Sequence, residues 1–378
     1  MSGSTGPDHD VVVVGAGQAG LALGYYLTRA GVDVLLLERA AHVGASWARR
    51  WDSLRLFTPA RYDALPGLAF PGDAWSYPGK DQVAAYLANY AARFELPVRT
   101  GADVVRLEGD AGDFRVHLAG GEMIRAARVV VATGAFGRPW TPPFATGIDP
   151  AVVQVHTDDY QRPDALPPGA VLVVGGANSG RQIALELARA GRSVHLSEGA
   201  RLRELPQRPL GRDLFWWLTA TRAIHAPGDS LVGRRVRANE PVIGIPRRDL
   251  RAAAVTFHPR AQDATGDTVR FVDGYAVQPV AVVWATGYRH GDTWVTVPGV
   301  LDEAGALAVD DGSTPVPGLY TIGRSWQRDR GSALLGYVHR DADRLASRIT
   351  SECPASLPTV PARTGSWPLD DVGELPTR

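Results

Sequence analysis

The chain has 378 residues, 45% hydrophobic and 21% charged, which is room for about two or three globular domains and excludes one small module. Its 40 basic and 40 acidic residues cancel, so no positive field gathers nucleic acid or anionic lipid, and no run approaches the roughly 18 apolar residues of a membrane helix. The one cysteine, Cys353, excludes an internal disulfide, a CxxC pair and a cysteine-built zinc site.

In chain order, residues 1–9 are rich in Gly, Ser, Asp and Pro, lack the basic start and apolar core of a targeting peptide, and read as a flexible lead-in to a cytoplasmic protein. Val11 to Val14 is a β-branched run suited to a central parallel strand. Gly15-Ala16-Gly17-Gln18-Ala19-Gly20 then opens a helix through Leu21, Leu23, Tyr26 and Leu27, which Gly31 stops before the strand Val34 to Leu37 and its terminal Glu38. In such a βαβ unit Gly15 makes the tight turn, Gly17 lets the backbone approach a pyrophosphate, and Gly20 allows close helix–strand packing. Free N–H groups at the helix start attract the phosphates, and Glu38 is placed for ribose hydroxyls. The pattern predicts a dinucleotide site, and this N-terminal position is where a flavin dinucleotide commonly sits.

The same pattern returns later. Val171 to Val174 precede Gly175-Gly176-Ala177-Asn178-Ser179-Gly180, a helix from Arg181 to Arg189, Gly191, and the strand Ser193 to Ser197 ending at Glu198. Ala177 replaces the middle glycine, a methyl group that is accommodated if the phosphates shift slightly. A second dinucleotide site is predicted, the alternative being a purely structural βαβ unit, and two sites imply two cofactors. Between Arg201 and Asp273 stand Phe215-Trp216-Trp217, which read either as helix core or as one wall of a substrate pocket, and the basic run Arg234-Arg235-Val236-Arg237, a solvated face. No His-x-x-x-His, aspartate cluster or Gly-x-Ser-x-Gly elbow supports a metal or an acyl-enzyme. Residues 353–378 carry five prolines and read as a flexible tail, with Trp367 as its one docking group.

Further landmarks are Gly44-Ala45-Ser46-Trp47, Trp51 to Pro59, Ala132-Thr133-Gly134, His156 with Tyr160, Ala285-Thr286-Gly287-Tyr288, and Pro317 to Gly323. With the two glycine turns, in this order and spacing, the chain from about Val11 to Ile349 resembles the class B flavoprotein monooxygenases. The resemblance is to their compact bacterial flavin-containing monooxygenase-like group, which is also similar to plant indole-pyruvate monooxygenases. The resemblance implies an α/β fold of two Rossmann-like, three-layer ββα domains, with the NAD(P)H domain (161–287) inserted into an FAD domain (10–160 and 288–352). FAD would be held by Gly15, Gly17, Gln18, Ala19, Gly20, Glu38, Arg39, Ser46, Trp47, Val105, Ala132, Thr133, Gly134, Gly323, Leu334 and Leu335. NADPH or NADH would be held by Gly175, Ala177, Asn178, Ser179, Gly180, Ser197, Glu198, Ala285, Thr286 and Gly287. The helix that follows Leu334-Leu335-Gly336 would point its amino end at the flavin pyrimidine edge, where it stabilises negative charge.

The implied reaction takes hydride from NAD(P)H, forms a C4a-(hydro)peroxyflavin with O2, and oxygenates a small organic substrate; the alternative is an NAD(P)H oxidase or flavin-dependent reductase. Arg55, Phe57 and Thr58 are the implied catalytic group, Arg55 either stabilising a peroxide anion or forming a salt bridge with Asp52. Phe57 departs from the family, which usually carries a polar residue there, often asparagine. Thr58 or the bound nicotinamide supplies the missing hydrogen bond, or the oxygen adduct is shorter-lived. The family signature FxGxxxHxxxY is half present: Phe144 and Gly147 are one residue too far apart, while His156 and Tyr160 remain and read as a linker between the domains or as structural residues. Glu198 stands at the same offset from Gly180 as Glu38 from Gly20, where a carboxylate accepts from ribose hydroxyls and repels a 2′-phosphate. NADH is therefore expected to be accepted at least comparably to NADPH. Substrate chemistry stays open among S-, N- and Baeyer–Villiger oxygenation, and the protein is expected as a monomer or homodimer.

Overall fold

The computed structural model describes residues 6–352. Most of the expected lead-in, and the whole tail with Cys353 and Trp367, lie outside the described residues, while His9 already belongs to the first strand.

The first half runs β1 (His9–Val14), α1 (Gln18–Arg29), β2 (Val34–Leu37), α2 (Ala45–Ala48), α3 (Lys80–Arg93), β3 (Val98–Arg99), β4 (Val104–Asp110), β5 (Asp113–Leu118) and β6 (Met123–Val131). After the short β7 (Arg138–Pro139) come β8 (Val153–His156), β9 (Val171–Val174), α4 (Asn178–Arg189) and β10 (Val194–Ser197). The chain continues through β11 (Glu204–Leu205), α5 (Leu214–Ala220), α6 (Leu231–Ala238), β12 (Val242–Ile243), α7 (Arg247–Ala252) and β13 (Thr256–His258). It closes with β14 (Ala261–Thr265), β15 (Thr268–Phe271), β16 (Ala276–Val277), β17 (Ala281–Trp284), β18 (Tyr288–Arg289), β19 (Leu319–Thr321) and α8 (His339–Glu352).

Seven strands form one sheet in the order β3-β2-β1-β6-β5-β4, with β19 also paired to β6. The run Val11–Val14 sits at its centre, parallel to both β2 and β6, and is buried on both faces. Strand alternation divides it. Val11 and Val13 pack toward α1, α3 and α8, whereas Val12 and Val14 join Phe114, Val116, Val295 and Leu307 on the other side. A second sheet, order β13-β10-β9-β17-β8, is parallel throughout. Its Val171 and Val173 face α4 and α7, and Leu172 and Val174 face β14–β16.

These are the two α/β halves that the sequence predicts, joined by paired connectors. The strand β8 pairs with β17 and so belongs to the second sheet, although the expected boundary at 161 lies beyond it; its parallel register with Ala281–Trp284 takes it there. On the way out and on the way back the chain passes through β7 and β18, which pair antiparallel. Gly137 is required at this crossing, because a Cβ would lie 2.8 Å from the Arg289 carbonyl oxygen. Among the described residues, no helix is long and apolar enough to cross a membrane.

Candidate active site

The two glycine turns are built alike. Gly15 and Gly175 have φ of +110° and +119°, a region L side chains rarely adopt, and a Cβ on either would strike a carbonyl oxygen, that of Ala132 at 2.6 Å or of Ala285 at 2.2 Å. A Cβ on Gly20 or Gly180 would lie 1.9 or 1.8 Å from the Gly15 or Gly175 oxygen. Gly15 N donates to Leu37 O and Gly175 N to Ser197 O, and Ala132 N and Ala285 N donate to Val14 O and Val174 O. The Ala-Thr-Gly segments are thus the partners of the glycine turns, each closing with a glycine at positive φ, Gly134 or Gly287.

Gly17 differs from its neighbours: nothing lies within 4 Å of a Cβ built on it. It begins α1 without a side-chain cap and without an acidic residue in the first turn, so Gln18 and Ala19 open a helix whose amino end is free for an anion. Ala177 begins α4 the same way, again with no cap and no acid in the first turn. Asn178 Oδ1 accepts from Ile243 N, which ties the second turn to β12, and Ser179 follows it in the helix. Both cradles fit a dinucleotide pyrophosphate on these grounds.

Glu38 lies beside the first cradle, its carboxylate accepting from Ala16 N at 3.2 Å and Ala40 N at 3.0 Å, with exposed Arg39 next to it. Ala102 N donates to Glu38 O, which brings the start of β4 alongside. Val105 there is 49% exposed and is the extra residue of a bulge between Val104 and Arg106. A Cβ on Gly323, at φ +82°, would lie 2.6 Å from the Ala19 Cβ, so this glycine also borders the first turn.

Glu198, expected at the ribose of the second nucleotide, is ion-paired in the structure. Its side chain is 4% exposed and both oxygens are taken, Oε1 by Arg181 Nη2 at 3.0 Å and Oε2 by Arg247 Nη1. Arg181 is fully buried and also donates to Gly176 O, Glu204 and Ile245 O. Glu198 is therefore charge-paired on both oxygens, and Gly176 makes room for it, since a Cβ would stand 2.5 Å from Glu198 Cγ. The guanidinium of exposed Arg260 lies beside Gly199, 3.5 Å from where its Cβ would be. Sequence reasoning missed Arg247 and Arg260 because α7 and the start of β14 carry them in from far along the chain; Ser197 Oγ pins that start by accepting from Ala261 N and donating to Pro259 O.

Between the halves, the segment 47–63 is held from both sides. Trp47 Nε1 donates to Gln18 Oε1, and Gln18 Nε2 reaches Ala333 O, in the turn that precedes α8. From the other half, Gln182 clasps Arg55 N and O, and Gln207 donates to Phe57 O. Ser46 is exposed, and Leu334 packs with Phe57 and Tyr62 while Leu335 is buried in the first core. Arg55 is exposed and donates to Tyr77 O; the expected alternative partner Asp52 pairs with Lys80 instead. Phe57 stacks on Phe215 at 5.8 Å, and Phe215 with Tyr337, Leu218 and Ile224 completes an apolar cluster against the first half. Of the aromatic run, Phe215 is core and Trp216 and Trp217 are half-buried. Thr58 is buried, its hydroxyl oxygen in hydrogen-bond contact with Asp63 Oδ1 at 2.6 Å.

His156 couples the connectors. Its Nε2 donates to Gly287 O at 3.0 Å, its Nδ1 accepts from Asp158 N, and its ring meets Tyr288 edge-on. Burial lowers its pKa, so one neutral tautomer serves both bonds. Tyr160 donates to Glu186 on α4. Thr286 Oγ1 donates to Trp140 O, which fastens the return crossing.

A duplicated strand–glycine turn–helix unit with a shared segment between the halves is the architecture of two-nucleotide oxidoreductases. The chain belongs to the pyridine nucleotide-disulphide oxidoreductase family, which it matches over residues 12–209. It is 40% identical over 342 residues to an uncharacterized CzcO-like oxidoreductase of Geobacillus kaustophilus, covering 90% of this chain and 98% of that one. It is 32% identical over 360 residues to the indole-3-pyruvate monooxygenase YUCCA1 of Oryza sativa subsp. japonica, covering 87% and 86%. The solved flavin-containing monooxygenase of Stenotrophomonas maltophilia superposes with a TM-score of 0.77 at 28% identity, covering 92% of this chain and 99% of that one. The protein is an enzyme of the flavin-dependent monooxygenase class, using FAD and a nicotinamide nucleotide.

Proposed function

We propose that this enzyme uses NADPH, FAD and O2 to oxygenate a small organic substrate. The observation that carries the reading is that both halves converge on one segment, 47–63, gripped by Gln18 from the first half and by Gln182 and Gln207 from the second. The first half holds FAD, with the flavin ring against Trp47, residues 54–63 and the turn before α8. The second half holds the nicotinamide nucleotide. Bound FAD supplies the hydride acceptor and, when reduced, the site of O2 activation. The chain's own part is to bind, orient and exclude water: Gly17 to Ala19 meet the pyrophosphate, Glu38 the ribose, and Phe57, Phe215 and Tyr337 offer a flat apolar group one dry wall. In an experiment mixing reduced holoenzyme with oxygen and a panel of sulfides, amines and ketones, oxygenated product is expected to account for part of the NADPH consumed. If every equivalent emerges as hydrogen peroxide across the panel, the oxidase reading replaces this one.

NADPH is favoured because Glu198 is neutralised by Arg181 and Arg247 and the Arg260 guanidinium stands next to Gly199, where a 2′-phosphate follows the strand end. By calorimetry, 2′,5′-ADP is expected to bind more tightly than ADP. Arg260→Ala should reduce that preference about tenfold or more, the worth of one hydrogen bond to a charged group. Equal affinities for the two nucleotides would return the choice to NADH.

A further inference from the structure

The segment under the proposed flavin ring contains a buried acid for which the reaction above has no use. Asp63 follows the helical turn Ala60–Tyr62, and its side chain is 0% exposed. Thr58 Oγ1 lies 2.6 Å from Asp63 Oδ1, while Oδ2 is buried with no partner among the described residues. The titratable groups that feel it from neighbouring elements are Tyr86 on α3 and Tyr337 before α8, both neutral phenols raised by burial. Among the described residues no lysine or arginine acts on Asp63 and the Thr58 bond alone opposes its burial, so its pKa is pushed up to about 8.

The site adjoins the cofactor cradle through Gly336. A Cβ on Gly336 would lie 2.0 Å from Tyr62 O and 2.9 Å from Asp63 Cα, so segment 58–63 and the turn before α8 are in direct contact. The same turn reaches Gln18 and, through it, Trp47. Two protonation states then give Thr58 opposite roles. With Asp63 ionised, the Thr58 hydroxyl spends its only hydrogen on Oδ1; with Asp63 protonated, the acid donates to Thr58 Oγ1 and that hydrogen is free.

We propose that Asp63 is a positioning residue, held as the neutral acid, that donates to Thr58 Oγ1 and so makes Thr58 the hydrogen-bond donor toward the flavin ring. This rests on the placement of FAD proposed above, and it supplies from Thr58 the donor that Phe57 lacks. A backbone-adjacent pair replaces a side-chain amide, at the cost of pH sensitivity.

The test reads protonation and flavin environment rather than turnover. Infrared spectra of the protein, with or without FAD, are expected to show a protonated-carboxyl band that titrates near pH 8 and is absent from Asp63→Asn. In the holoenzyme, the visible spectrum of oxidised flavin is expected to change with the same midpoint. Thr58→Val should abolish that flavin change while keeping the carboxyl band, and Thr58→Ser should restore it; these two variants decide the matter even where Asp63→Asn fails to fold. A carboxyl already ionised well below pH 8, or a flavin titration untouched by Thr58→Val, overturns the proposal. A protein that retains the carboxyl band but never binds FAD defeats the functional reading instead, and with it the role given to Thr58.

Discussion

Replacing Arg181 with methionine is expected to destabilise the second half by about 3–5 kcal/mol, the range for breaking a buried ion pair from one side. The guanidinium is fully buried and makes four bonds, to Glu198, Glu204, Gly176 O and Ile245 O. Removing it leaves Glu198, itself 4% exposed, with Arg247 alone, and strands two backbone carbonyls. Arg181→Lys should recover only part of the loss, because an ammonium cannot fork between two carboxylates and two carbonyls. The double variant Arg181→Met, Glu198→Gln should lose less than the sum of the single changes, since it also removes the stranded charge. Denaturant titrations monitored by hydrogen exchange in α4 and β10 would measure this; a loss below about 1 kcal/mol would mean Arg181 is a dispensable surface-like cation. The 2′,5′-ADP preference should fall with it, because Glu198 is no longer fully neutralised.

The second large effect separates cofactor binding from folding. Gly17→Val is expected to leave the fold intact and weaken FAD binding by about one to two decades, corresponding to roughly 1–3 kcal/mol of overpacking against the phosphates. Gly17 has φ −76° and ψ −173°, open to any residue, and its Cβ position meets nothing within 4 Å, so the protein itself has no objection to a side chain there. Gly20→Val is the contrast, since its Cβ would stand 1.9 Å from Gly15 O and must disturb the turn before any cofactor arrives. Absorbance of the purified proteins after dialysis against FAD, beside their melting temperatures, makes the comparison. Gly17→Val that binds FAD as well as the parent would remove the first cradle as the flavin site.

Asp63 adds a stability signature to its spectroscopic one. Its folded pKa, about 8, lies above the unfolded 3.8, so folding retains the proton. Its contribution is fully present below the unfolded value and is lost as pH rises through the folded one. The melting temperature of Asp63→Asn relative to the parent should therefore climb between about pH 4 and pH 8 and then level off. A difference that does not vary with pH would show that Asp63 ionises normally.

What the sequence determined by itself was local and periodic. The β-branched runs Val11–Val14 and Val171–Val174, each followed by a glycine turn and a helix, were legible as buried parallel strands leading into tight turns, because the apolar run and the glycine φ are features of a few adjacent residues. The packing of each Ala-Thr-Gly segment against its glycine turn came only from the structure, since β6 and β17 arrive from far along the chain. The pairing of Glu198 was not readable. Its offset from Gly180 matches that of Glu38 from Gly20, yet Glu38 meets backbone amides and Glu198 meets two guanidinium groups. Whether an acid is free, paired or protonated depends on charges brought in by distant segments, as Arg247 is to Glu198, and on desolvation, as at Asp63. Spacing along the chain places a carboxylate; only the packing of the two halves around it settles what that carboxylate can do.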